Sequence, residues 1–189
     1  MAVGTRDEVG RVAERSVESS ASAVEWPAIV AGALAAIGVT IILFALGTGA
    51  GLTMTRPWSF SAPSPAAFGR AAAIGLIVTQ WVASGIGGYL TGRLRTKWVG
   101  IRTDEIFFRD TAHGFLAWAL ASVLMAAFFS HLGAVTTATG TDTTMSAEAA
   151  EQARKLAASF ALFTSLSFFV GAFIASAAGA LGGFHRDEG

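Results

Sequence analysis

Four long apolar runs alternate with short polar segments along this chain. The first is "WPAIVAGALAAIGVTIILFALGTGAGL" (26–52) and the second is "AAAIGLIVTQWVASGIGGYLTG" (71–92). The third is "TAHGFLAWALASVLMAAFFSHLG" (111–133) and the fourth is "LAASFALFTSLSFFVGAFIASAAGALGGF" (156–184). None contains Asp, Glu, Lys or Arg. Each meets the ~20 helical residues needed to cross a hydrocarbon core. The runs are continuous and do not alternate, which argues against barrel strands. Backbone groups in lipid must find partners within their own segment, so the pattern predicts four helices. The expected fold is all-α, an integral membrane four-helix bundle, with two tandem transmembrane hairpins as a candidate arrangement.

The polar segments refine this. Residues 1–25 form a tail whose Thr5 and Glu8 have capping-box spacing, ahead of Val9, Val12, Ala13 and Val17. They predict a short surface helix or a frayed tail, followed by a four-helix domain over 26–189. The tail carries both signs of charge before a long apolar run, which does not suit a cleavable signal peptide. Ser64–Pro65 reads as N-cap and first helical position. Thr103 reads as an N-cap with Asp104 and Glu105 in the first turn, where they suit the helix dipole. The helix-prone end of 134–155 adds turns to the fourth helix.

Charge sets the orientation. The 189 residues hold 13 basic and 13 acidic side chains, so no net charge recruits nucleic acid. Arg6, Arg11, Arg15, Arg93, Arg95, Lys97, Arg102, Arg109 and Arg186 fall on one side of the four-span topology; Arg56, Arg70, Arg154 and Lys155 fall on the other. The basic excess predicts both termini and the loop between the second and third helices in the cytoplasm. In that loop Arg93, Arg95, Lys97 and Trp98 are expected to anchor at lipid headgroups.

Small residues recur at four-residue spacing. Ser84, Gly88 and Gly92 share one face of the second helix; Gly171, Ala175, Gly179 and Gly183 share one face of the fourth. Such faces allow close helix approach, either between these two helices or between protomers. The two hairpins also resemble each other: Gly32, Leu34 and Ala35 align with Gly114, Leu116 and Ala117, and Ala83, Ser84 and Gly87 with Ala175, Ser176 and Gly179. A duplication would predict parallel repeats about an axis along the membrane normal.

Candidate chemistry is sparse. There is no cysteine, which removes disulfides and thiol chemistry. Gln80 is the most polar mid-span side chain, suited to an interhelical hydrogen bond or a pore contact. Arg109, Asp110 and His113 cluster at the inner end of the third helix. They form a candidate cytoplasmic-face site, either an ion pair, a haem or quinone contact, or a solvated helix entry. The three histidines are dispersed along the bundle and predict no metal site, and no nucleophile motif or phosphate loop is present. No cofactor and no catalytic residue is expected.

The segments "WPAIVAGALAA", "LGTGAGL", "GGYLTGRLRTKWVG" and "TDEIFFRDTAHGFLAWALA" resemble a group of bacterial four-helix inner-membrane proteins with no established activity. The resemblance implies a bacterial source and a multi-pass inner-membrane location, without catalytic residues. The leading functional expectation is a non-enzymatic protein acting by association, as a homo-oligomeric scaffold or as an accessory subunit among other membrane proteins and lipids. A small oligomeric channel or transporter and a redox-complex subunit are the alternatives.

Overall fold

The computed structural model describes residues 23–54, 65–97, 102–139 and 146–189. The expected tail helix and Trp98 lie outside the described residues. Four helices follow in order: α1 (Trp26–Met54), α2 (Pro65–Leu94), α3 (Thr103–Thr139) and α4 (Ala147–Glu188). No strand occurs among the described residues. Each helix contains a stretch long and apolar enough to cross a membrane.

Local chemistry explains the helix starts. Glu25 caps α1, its carbonyl accepting from Ile29 N–H at 3.3 Å. Pro27 falls in the first turn, where a missing N–H costs nothing. At α3 the carbonyl of Arg102 accepts from Glu105 and Ile106, both at 3.1 Å, so the cap lies one residue before the expected Thr103. Ser146 caps α4 and accepts from Ala149 N–H at 3.2 Å. That cap adds more than two turns ahead of the fourth apolar run.

α1 packs on α2, α3 packs on α4, and α2 packs on α4, α3 and α1. α1 also packs on α3 but makes no contact with α4 among the described residues. A twofold axis along the bundle would exchange α1 with α3 and α2 with α4. The α2–α3 packing would then demand α1–α4 packing, which is missing. The chain therefore forms two hairpins without the rotational symmetry that a parallel repeat predicts.

The bundle has a packed end and an open end. The packed, basal end holds the starts of α1 and α3 and the finishes of α2 and α4. Burial there follows helical spacing: 28, 29, 32, 33 and 36 in α1; 110, 113, 114, 117 and 121 in α3; 167, 171, 175, 179 and 183 in α4. Among the described residues the buried apolar side chains are nearly all alanine, with Ile29 the one large member. Toward the distal end the helices part. Residues 44–50, 70–76, 126–131 and 157–163 are exposed without interruption. Six or seven consecutive residues cover every face of a helix, so no face of these segments is buried against the rest of the bundle.

Candidate functional site

Small residues bring the basal backbones close enough to bury charge. Gly88 of α2 lies against the backbone of Ala175 in α4, and Gly92 lies against Gly179 and Gly183. Gly171 lies against Ser84. The two four-residue faces thus meet within one chain. Gly183 also lies against the carboxylate of Asp110, where a methyl group would have no room.

Asp110 is the hub. Its side chain is 3% exposed, and Arg95 Nε approaches its Oδ1 at 2.7 Å. Arg186 closes the other side with two bonds of 3.3 Å, Nη1 to Oδ1 and Nη2 to Oδ2. Arg186 Nη1 also donates to the carbonyl of Gly92 at 3.1 Å, and its Nε donates to Asp187 at 2.9 Å. One carboxylate thereby ties the α2–α3 connector, α3 and α4 together. Burial pushes the Arg95 guanidinium below its ordinary value, and Asp110 opposes that shift.

His113 brings in α1. Its Nε2 accepts the backbone N–H of Glu25 at 2.9 Å, while Nδ1 lies 2.6 Å from the carbonyl of Arg109. An N–H donor on Nε2 requires a lone pair there, so Nδ1 carries the proton and donates to Arg109. The ring is neutral with both nitrogens engaged. The Glu25 carboxylate in turn accepts from Thr96 N–H at 2.9 Å and Thr96 Oγ1 at 3.2 Å. Lys97 Nζ donates to the carbonyl of Asp187 at 2.9 Å. Arg95, Arg186 and Lys97 are thus set among Asp110, Asp187 and Glu25, and the charges balance.

Several expectations change. Arg95 does not reach lipid headgroups: its side chain is fully buried, because the Asp110 carboxylate lies behind it. Asp110 and His113 are not a solvated helix entry; each is 2% exposed. Of the third candidate residue, Arg109, the side chain turns outward to pair with Glu105 at 2.7 Å. Arg93 and Lys97 remain exposed. Arg186 and Glu25 complete the cluster without having been singled out. Their signal is position: each is a charged residue adjoining the end of a packed helix, and a buried partner was needed for Asp110.

The predicted mid-bundle residue, Gln80, is half-buried on α2. A methyl group built on Gly171 would stand 3.0 Å from Ser84 Oγ, 3.1 Å from Trp118 Nε1 and 3.2 Å from Gln80 Nε2. Ser84 already donates to the carbonyl of Gln80 at 2.7 Å. The buried Trp118 N–H has no hydrogen-bond partner among the described residues. Also among the described residues, no three His, Asp or Glu side chains come together as a metal would require.

No family model, curated protein or solved structure matches the chain.

Proposed function

We propose that this is a multi-pass protein of the bacterial inner membrane, with both termini cytoplasmic, that acts by association and not by catalysis. The basal cluster marks the cytoplasmic end in this reading. Among the described residues Arg93, Arg95, Lys97, Arg102, Arg109 and Arg186 gather there, against Arg70, Arg154 and Lys155 toward the other end, and burial of Arg95 leaves the sign of that excess unchanged. The observation that carries association is the distal half of the bundle. There, large side chains such as Phe44, Phe128 and Phe163 stand exposed on helix segments none of whose faces is buried in the bundle. The small-residue faces are spent inside the chain, so the contact surface is the distal half. Its partners are further copies of the chain or another membrane subunit.

Mass measurement in mild detergent tests this reading. A homo-oligomer or a stable heteromeric particle is expected; a lone 19.4 kDa chain surrounded only by detergent would contradict it.

One observation favours a second reading, a small channel or transporter. Gln80, Ser84 and Trp118 converge above a sealed base and below an open end. Solute flux in liposomes that changes in Gln80→Leu would support it. The redox reading has no comparable support, since His113 has no nitrogen left for a haem iron.

A further inference from the structure

The residues around Gly171 have a chemistry of their own. Ser84 spends its hydrogen on the Gln80 carbonyl and keeps its lone pairs. The Trp118 N–H is buried and has no acceptor among the described residues. Leaving such a donor unmet is costly in an apolar setting, which favours any molecule that brings an oxygen to it. The Gln80 amide can add a second donor beside it. Phe115 and Phe168 flank the indole with ring centroids at 5.5 and 6.1 Å. The second apolar run carries no charged residue, so nothing there selects an ion. Gln80 and Trp118 are only half-buried, and they sit where the packed base gives way to the separated distal helices. A molecule that uncovers the buried N–H therefore reaches it from the distal side, where the indole and the Gln80 side chain are partly exposed.

We infer that Trp118 and Gln80, floored by Ser84 and Gly171, form a neutral donor site for the carbonyl oxygen of a lipophilic molecule entering from the outer leaflet. The site requires the membrane-spanning topology but not association, so it stands or falls independently of oligomeric state. Two sources carry this chemistry, a quinone ring and an acyl ester.

The test uses Trp118 as reporter. The full chain with Trp26, Trp58, Trp81 and Trp98 changed to Phe is placed in lipid nanodiscs. It is titrated separately with decylubiquinone and with a bromine-labelled diacylglycerol. Saturable quenching by one probe identifies the source, and Gln80→Leu should weaken that binding about fivefold. Quenching that rises linearly with both probes and ignores Gln80→Leu would overturn the site, leaving a bound water as the partner. A second measurement avoids dependence on the multiply substituted chain. Each probe is added to the native chain and to Trp118→Phe during thermal unfolding. A midpoint raised only in the native chain is expected; equal shifts, or none, would overturn the proposal.

Discussion

His113 holds the start of α1 from across the bundle: its Nε2 accepts the N–H of Glu25, 88 positions earlier in the sequence, at 2.9 Å. This bond uses a helix-start N–H that its own helix cannot satisfy. It makes the neutral ring a structural cap for a different helix. His113→Phe should leave that N–H without an acceptor. Exchange of the amides of Glu25, Trp26 and Ala28 in detergent should then quicken about tenfold, since such a bond is worth about 1–2 kcal/mol. His113→Gln, whose Oε1 can accept, should recover part of the protection.

Asp110 is the costliest single residue to lose. Asp110→Ala would leave two guanidiniums buried against each other and should destabilise the fold by about 3–5 kcal/mol. Replacing the three charged residues together, with Arg95→Met, Asp110→Leu and Arg186→Met, removes the stranded charges. It should restore much of the loss. Helicity during denaturation by sodium dodecyl sulfate measures both.

Glycines divide by position. Gly88→Ala and Gly183→Ala insert a methyl group into backbone or carboxylate and should each cost about 1–3 kcal/mol. Gly38 and Gly47 have nothing within 4 Å of the added carbon. Alanine there should be neutral or stabilising by up to about 1 kcal/mol, because it favours the helix. The same unfolding assay separates the two classes.

The helices were legible because each apolar run exceeds the length of a core helix and carries no charge. The α2–α4 seam was legible in part, since Gly88, Gly92, Gly179 and Gly183 keep four-residue spacing that only one face can explain. Whether that face served the chain or a second protomer was not, because spacing carries no information about the partner. The basal cluster was least legible. Asp110 lies beside Arg109 and two turns into α3, a pattern equally suited to a solvated helix start. Its partners are Arg95 and Arg186, and a separation of 76 positions between Asp110 and Arg186 leaves no local trace of the pairing. The open distal end was hidden too, because "FALGTGA" (44–50) and "AASFALF" (157–163) are as apolar as packed segments. Their phenylalanines, set against the alanines and glycines of the base, were the unread clue.

Association through the distal half can be tested cleanly, because the sequence contains no cysteine. A single cysteine replacing Phe163, in cells expressing the full chain, is treated with a short thiol-to-amine cross-linker in native membranes. A discrete adduct larger than the monomer is the predicted result, absent when the cysteine replaces buried Ala175. A chain that remains monomeric with the cysteine at Phe163, and equally at Phe128 and Ile42, would contradict the account.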